Sequence, residues 1–201
     1  MLCHAGAAIE AAYFPDAGMI SMLATLEDGT QAEVGVSGRE GMFGVALLAG
    51  VETSFVEAIS QIPGPTWRIP AAALRAELAG NMPLRALLLR YNEAVLAQVM
   101  QTAACNGRHS LEQRLSRWLL MCHDRVEADE LPLTQEFLAT MLVAHRPSVS
   151  VTAGHLSQAG LIRTGAGRVT ILDRPGLEAA ACDCYATVKH RFAAVLESSP
   201  G

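Results

Sequence analysis

Several features that define common protein classes are missing from this 201-residue sequence, in which only 17 % of residues are charged and 5 % aromatic. No uncharged apolar run reaches the roughly 18 residues that a membrane helix needs. The start of the chain has no basic segment of the kind that opens a signal peptide. Walker, H-E-x-x-H and dinucleotide-binding motifs are absent, as is any other catalytic constellation. We therefore expect a cytoplasmic protein that contacts no membrane and is not an enzyme.

Cysteine occurs in an odd number and without the spacing of a disulfide framework. The five cysteines are Cys3, Cys105, Cys122, Cys182 and Cys184. In a chain of this length without an export signal, we expect reduced thiols. Cys182 and Cys184 could join His190 in a metal site, but residues two apart on a helix point to different faces. We therefore favour free thiols, and the sequence predicts no metal, no iron–sulfur cluster and no other cofactor.

What the chain does contain is an uneven distribution of charge around a net of −5. Residues 1–105 hold 5 lysines and arginines against 10 aspartates and glutamates, whereas residues 106–201 hold 10 of each kind. Within the second half, residues 145–174 contain four arginines and one aspartate. This modest basic patch is compatible with nucleic-acid binding and does not establish it.

Residues 13–70 have the patterns of an antiparallel β region. An apolar run at residues 19–26 is followed by an Asp-Gly pair, the favoured hairpin turn, and by alternating polar and apolar residues at 31–36. Alternation returns at residues 54–62, before a Pro-Gly-Pro turn and one more short strand. A small antiparallel barrel or sandwich is the simplest fold for this region.

Two helices are predicted next, over residues 71–79 and from Leu84 to about Cys105, where Asn106-Gly107 breaks the second one. Heptad spacing, with steps of 4, 3 and 4, relates the apolar residues Leu84, Leu88, Tyr91 and Val95. A second apolar stripe consists of Leu89, Leu96 and Met100. Because two apolar faces must be covered on two sides, we favour a homodimer with the first stripe as its interface. The alternative is a fully buried core helix in a monomer.

The last third of the chain begins with the signals of three helices. Ser110 and Gln113 form a capping box ahead of an amphipathic helix. Thr134 is a good N-cap for a second helix. After a break of about three residues, a third helix begins at Arg146, with Pro147 in its first turn.

A β-wing is predicted after this third helix. Gly160 ends the helix, and two short β-branched runs joined by a glycine-rich turn follow, up to Leu172. Residues 177–195 then read as a C-terminal helix. The order helix, tight turn, helix and wing is that of a winged helix-turn-helix, although an αα-hairpin packed on a β-hairpin without DNA-binding function has the same pattern.

This order suits DNA for a physical reason. A helix with small polar residues and an arginine at its start can enter the major groove and bond to guanine, while free N–H groups and hydroxyls hold phosphates. The predicted DNA-binding residues are Thr134, Gln135, His145, Arg146, Ser148, Ser150, Val151, Thr152, His155, Arg163 and Arg168.

From about residue 7 to residue 190, the sequence resembles the Crp/Fnr superfamily of bacterial regulators. The most specific segments are residues 133–142, 146–151, 156–163 and 167–173. Segments 13–18 and 38–44 resemble parts of the family's cyclic-nucleotide-binding-like barrel, and the long helix falls where the family has its dimerisation helix. The resemblance implies a homodimeric transcription regulator whose partners are double-stranded DNA, a second copy of itself and RNA polymerase.

The resemblance also implies roles for individual residues. Arg146 would read a base and Ser148 would meet a phosphate. Val151 stands where the cyclic-AMP-responsive members carry a second base-reading arginine, and Pro147 replaces a common glutamate, so promoter preference should differ. Val143 stands where the family usually has glycine, and it is strained if that backbone is left-handed.

The effector pocket departs from the family pattern. Nucleotide-binding members use an arginine for the phosphate and a glutamate for the ribose, and here Glu52 and either Met42 or Val45 take those positions. An acid repels the phosphate, so we predict that neither cyclic AMP nor cyclic GMP binds in the usual mode. The degenerate pocket comprises Gly41, Met42, Gly44, Val45, Glu52 and Thr53. No effector is identified.

The sequence therefore predicts an α+β fold. We expect an antiparallel cyclic-nucleotide-binding-like barrel over residues 1–83, a dimerisation helix over 84–106, and a winged helix-turn-helix with a C-terminal helix over 107–201. The family has several dozen more residues ahead of Tyr13, so the sequence indicates a truncated reading frame, a mis-assigned start or a barrel that lacks a strand. A barrel edge left open would carry a risk of association or aggregation. The alternative function is a degenerate sensor or interaction protein with impaired DNA binding.

Overall fold

Two small antiparallel sheets form the N-terminal half of the protein, in a computed structural model that describes residues 1–197. The strands are β1 (Ala11–Pro15), β2 (Met19–Thr25), β3 (Gln31–Ser37), β4 (Glu57–Ile62) and β5 (Thr66–Pro70), with a 3₁₀ helix at Val45–Ala49. One sheet pairs β1 with β5, and the other has the order β3-β2-β4. The antiparallel fold is confirmed, but the sheets do not close into the predicted barrel.

The N-terminal segment covers the outer edge of β4, which a barrel that lacks a strand would leave open. The Leu2 amide donates to the Ala58 carbonyl of β4 at 2.8 Å, and the Ile9 amide donates to the Glu52 carbonyl at 2.7 Å. An isolated antiparallel bridge joins Cys3 to Ala58. Since this segment uses hydrogen-bonding groups of β4, the edge is not unprotected at Ala58.

The long helix is longer than predicted. Helices α1 (Ala71–Gly80) and α2 (Met82–Arg108) meet at Asn81, whose side chain accepts from the Leu84 amide at 3.0 Å. Helix α2 continues through Asn106-Gly107, the predicted break, and ends where the His109 amide bonds to the Cys105 carbonyl at 3.0 Å. A glycine inside a helix weakens it by only about 1 kcal/mol, so one glycine does not stop it.

The heptad stripe of α2 faces the protein's own sheets. Leu88, Tyr91 and Val95 are 5 %, 1 % and 7 % exposed. The Tyr91 hydroxyl lies 2.8 Å from Ser37 Oγ and donates to the Met42 carbonyl at 3.1 Å. The prediction that this stripe forms a dimer interface is therefore corrected, because these three side chains are already buried within one chain.

The other stripe of α2 is the exposed one. Leu89, Leu96 and Met100 are 45 %, 47 % and 58 % exposed. On the opposite side of the helix, Gln98 is buried, and its Oε1 accepts from the Val36 amide at 2.7 Å. The heptad spacing of Leu84 to Val95 thus marked a core face, and the face left for a partner is the second stripe.

The second half carries the predicted winged helix-turn-helix. Its elements are α3 (Leu111–His123), β6 (Glu130–Leu131), α4 (Gln135–Met141), α5 (Arg146–Gln158), β7 (Ile162–Gly165) and β8 (Arg168–Ile171). The predicted capping box of α3 is present, with Ser110 accepting from the Gln113 amide. The wing has a third strand, β6, in the order β6-β8-β7. A two-residue strand leaves no alternation pattern by which it could have been predicted.

The described part of the C-terminal region, residues 174–197, forms two helices and not one: α6 (Arg174–Ala180) and α7 (Cys184–Glu197). The predicted single helix over 177–195 is wrong because Ala181 is extended, with φ −74° and ψ 159°. Helix α7 packs on α2, with the Phe192 ring edge-on to Tyr91 at 6.2 Å. Within the described chain, no helix combines the length and apolar composition needed to cross a membrane.

Two buried polar contacts join the halves. Glu33 of β3 accepts from the Trp118 indole of α3 at 2.6 Å and from Ser21 at 2.6 Å. After α3, the Arg125 guanidinium forms an ion pair with Glu40 at 2.6 Å, and its side chain is only 8 % exposed. These contacts fix the winged helix-turn-helix half, described over residues 107–197 and called the reading half below, against the sheets.

Candidate nucleic-acid interface

The turn between α4 and α5 sets the angle at which α5 leaves the protein. Thr134 caps α4, its Oγ1 accepting from the Phe137 amide at 3.1 Å. The turn itself is made at Val143, whose φ is 48°. The backbone at Val143 is therefore left-handed, which is the condition under which valine was expected to be strained. A β-branched residue is strained in this conformation, and Val143 keeps it in a tight turn held by the Ala144 amide bonding to the Ala139 carbonyl at 3.0 Å.

Helix α5 has one buried face and one exposed face. Val149, Ala153 and Leu156 are at most 1 % exposed, as predicted. The opposite face is open at Arg146, Ser148, Val151 and His155. The N-terminal end of the helix thus presents a cation, a hydroxyl and free backbone N–H groups to solvent. Phosphate oxygens and base edges accept hydrogen bonds from such groups.

Two residues predicted for this face are turned away from it. Thr152 is 9 % exposed, and its hydroxyl donates to the Ser148 carbonyl at 2.8 Å. The expectation that Thr152 points outward is therefore wrong, because its position lies beside the buried Ala153. Ser150 is half-buried and donates to Gln135 Oε1, which ties the starts of α4 and α5 together.

The wing stands beside the start of α5. Its turn is made by Ala166 and Gly167, with φ values of 49° and 72°, the paired positive angles of a tight hairpin. A cleft of about 390 Å³ separates the wing from the helices, and Thr134, Arg146 and Arg168 line it. Wing and helix start therefore face a common space.

The cationic side chains around this cleft differ in whether a carboxylate lies next to them. Arg168 forms an ion pair with Glu130, and His155 lies 4.0 Å from Glu112 on α3. Arg146 and Arg163 are exposed, and within residues 1–197 neither forms an ion pair with a carboxylate. These two guanidinium groups are the cations most available to a nucleic acid.

The predicted effector residues are not brought together in one chemical site. Met42 is 1 % exposed in the core, whereas Glu52 and Thr53 are exposed. Glu52 is not unpaired, since its Oε1 accepts from Arg75 of α1 at 3.0 Å. Gly41 lies against the ring of Tyr91, where a Cβ would come within 1.9 Å of the ring. The remaining members, Gly44 and Val45, begin the 3₁₀ helix.

A cluster that the sequence did not predict lies at the end of α2. The ligand atoms of Cys105, His109, Cys182 and Cys184 all lie within 4.8 Å of one another. The argument that Cys182 and Cys184 point to different faces of a helix fails, because Cys182 precedes α7 and Cys184 is its first residue. The signal that could have found the cluster is the four-residue spacing of Cys105 and His109 on one helix face. His190 is exposed and is not a member.

A sheet module, a long helix and a winged helix-turn-helix with an open helix start define the class of DNA-binding regulators. Residues 113–180 match the Crp-like helix-turn-helix domain, and no curated protein is detectably similar in sequence to the chain.

Solved structures share the fold over most of the chain. FixK2 from Bradyrhizobium japonicum has a TM-score of 0.76 at 17 % identity, and a CRP-family transcriptional regulator from Thermus thermophilus has 0.73 at 22 %. Each comparison covers 90 % of this chain and 92 % of the other. The c-di-GMP-responsive global regulator CLP of Xanthomonas campestris has 0.64 at 17 %, covering 84 % of this chain and 87 % of CLP.

These findings confirm the predicted resemblance: the chain contains a Crp-like helix-turn-helix domain and has the fold of CRP/FNR regulators. It is a DNA-binding transcription regulator by this domain and this fold.

Proposed function

We propose that this regulator binds a pseudo-palindromic DNA site as a homodimer, with the start of α5 in the major groove. The observation that carries the proposal is the exposed Arg146 at the first position of α5, beside the wing and without a carboxylate partner in the described chain. An arginine in this position can donate two hydrogen bonds to guanine. Ser148 and the helix N-terminus, together with Arg163, would hold phosphates.

The second copy would pack on the exposed stripe of α2, the residues Leu89, Leu96 and Met100. Exposed large apolar side chains at heptad spacing on a 27-residue helix favour a coiled-coil partner. A two-fold dimer places two copies of α5 so that they read half-sites about 34–36 Å apart.

We also propose that cyclic AMP does not control this dimer in the usual way. The residue expected to hold the phosphate is the acid Glu52, and it is engaged with Arg75. The guanidinium of Arg75 is neutralised by this pair, and the side chains of Glu52 and the buried Met42 offer no donor for a phosphate. Calorimetry with cyclic AMP and cyclic GMP should give no heat of binding at micromolar concentrations, and a micromolar dissociation constant would contradict the proposal.

Selection from a random-sequence DNA pool tests DNA reading directly. The purified protein should enrich a two-fold symmetric site, and Arg146→Ala should lower affinity for that site by about 10- to 100-fold, the value of one bidentate base contact. Arg191→Ala, an exposed arginine on α7, is the matched control and should keep the affinity. A pool that stays flat at both low and high salt would favour the degenerate sensor.

Sedimentation tests the dimer face. Leu96→Glu should shift the protein to monomer, whereas Leu26→Glu, at a loop side chain that is 59 % exposed, should leave the dimer intact. A dimer that survives the Leu96 change would place the interface elsewhere.

A further inference from the structure

The cysteine–histidine cluster at the end of α2 has the composition of a metal site. Three buried thiols and one imidazole converge from two separate parts of the chain. Cys105 and His109 are one turn apart at the end of α2, and Cys182 and Cys184 flank the start of α7. Their convergence across more than 70 residues is not a consequence of local sequence.

The distances within the cluster fit a single tetrahedral ion. The sulfurs of Cys105 and Cys182 are 3.5 Å apart, and Cys184 Sγ lies 3.5 Å from His109 Nδ1. A zinc ion with bonds of about 2.3 Å to sulfur and 2.0 Å to nitrogen would hold its ligands about 3.5–3.8 Å apart. A cluster of several iron atoms would spread its ligands wider than the observed 4.8 Å limit.

Polar groups around the four residues are arranged as an outer layer of such a site. His109 directs Nδ1 toward Cys184, while its Nε2 lies 3.5 Å from Asp183 Oδ1. A carboxylate on the far nitrogen fixes the ring orientation of metal-bound histidines. Gln101 Nε2 donates to the sulfur of Cys184 at 3.0 Å.

A buried cation accompanies the cluster. Arg117 is 5 % exposed, acts electrostatically on Cys105, and forms no ion pair with a carboxylate within the described residues. Three thiolates and a divalent ion would carry one net negative charge, which Arg117 would balance.

We propose that Cys105, His109, Cys182 and Cys184 bind one zinc ion. Thiolate and imidazole ligands at tetrahedral spacing select zinc among the common divalent ions. Because all four positions are filled by protein, the site is structural rather than catalytic.

The position of the site gives it a structural consequence. Its ligands lie just outside the helix-turn-helix domain at residues 113–180, two before it and two after it. A bound ion would clamp both ends of that domain to α2, the helix that carries the proposed dimer face. Zinc would thus set the position of the reading head and stabilise the fold, since a ligand that binds only the native state raises its stability.

Zinc content of the full-length, tag-free protein tests the proposal. Protein purified under reducing conditions in zinc-supplemented medium should contain about one zinc per chain by elemental analysis. Cys105→Ser and Cys184→Ser should each reduce this content at least tenfold, and Cys3→Ser, a buried thiol in the sheet half, should keep it. Saturating zinc should raise the Tm of the apo-protein by about 5–10 °C.

Cobalt substitution makes the test independent of whether the variants fold. The unmodified apo-protein with Co²⁺ should show the visible d–d bands and thiolate charge-transfer band of a tetrahedral thiolate site. A folded protein that takes up neither zinc nor cobalt would overturn the proposal. A Cys105–Cys182 disulfide in protein purified under reducing conditions, or zinc retained by both serine variants, would also overturn it.

Discussion

The sheet half and the reading half are held by contacts of different range along the chain. In the reading half, the caps that begin α3 and α4 join residues three apart, Ser110 with Gln113 and Thr134 with Phe137. In the sheet half, the contacts that fix α2 span much longer stretches. Tyr91 meets Ser37 across 54 residues, and Gln98 meets Val36 across 62.

This difference teaches where each half is vulnerable. The loss of one local cap lowers the free energy of unfolding by about 1 kcal/mol. A close long-range contact holds several elements together, so its disruption displaces all of them. We therefore expect single substitutions to change stability most at the contact of α2 with the sheets, less at the contacts between the two halves, and least in the turn between α4 and α5.

Gly41→Ala should have the largest effect. A Cβ at this position would lie 1.9 Å from the ring of Tyr91, and the hydroxyl of Tyr91 is held by Ser37 and Met42. Because the ring cannot retreat without breaking both contacts, we expect a loss of at least about 3 kcal/mol in the free energy of unfolding. Urea denaturation followed by circular dichroism measures it.

Gly107→Ala is the matched control for that comparison. Gly107 lies in the last turn of α2, and a Cβ there would meet no atom within 4 Å. The same substitution should therefore stabilise the protein by about 0.5–1 kcal/mol. If Gly41→Ala proved as well tolerated as Gly107→Ala, the Tyr91 contact would not be the constraint on α2.

Glu33→Gln should have the next largest effect, and the effect should depend on pH. Burial raises the pKa of Glu33 to about 7, although hydrogen bonds from Ser21 and Trp118 oppose the shift. The folded protein then binds a proton that the unfolded chain, with a pKa of 4.5, releases between the two values. The stability that Glu33 contributes is therefore fully present below about pH 4.5 and is lost as the pH rises toward 7.

Glutamine cannot ionise, so the variant should escape this loss. Above pH 7, Glu33→Gln should be more stable than the unmodified protein by up to about 3 kcal/mol, and the difference should vanish near pH 4.5. Glu127→Gln, an 87 % exposed partner of Arg39, is the control and should change stability by less than about 0.5 kcal/mol at either pH. A pH-independent difference for Glu33→Gln would show that its carboxylate is already charged in the fold.

The same contrast of range explains what could be predicted from the sequence. The helix-turn-helix and its wing follow from capping and turn signals within a few residues, and both were predicted. For Val143, the family resemblance said only that valine is strained if its backbone is left-handed, and the structure meets that condition. The spacing of Leu88, Tyr91 and Val95 showed that α2 has an apolar face, but heptad spacing does not distinguish the protein's own sheet from a second copy.

Three features that the sequence did not predict depend on how elements pack together. The pairing of Glu52 with Arg75 was not predicted, because the two residues are 23 apart in the chain. Thr152 was placed outward because the helical period alone does not say how wide the buried face is. The approach of Cys182 to Cys105 required the break before α7, which lies in a segment predicted as continuous helix.

Val143→Gly should have the smallest effect, and it tests whether the reading half stores strain in its own turn. Val143 has φ 48° and is 46 % exposed, so glycine relieves the left-handed backbone and removes little buried surface. We expect a gain of about 1 kcal/mol in the free energy of unfolding. Val151→Gly makes the same chemical change at a 59 % exposed position inside α5, where glycine should cost about 0.5–1 kcal/mol. Opposite signs for the two variants in urea denaturation would locate the strain in the turn. Equal losses would mean that the stiffness of valine stabilises this turn more than its φ angle strains it.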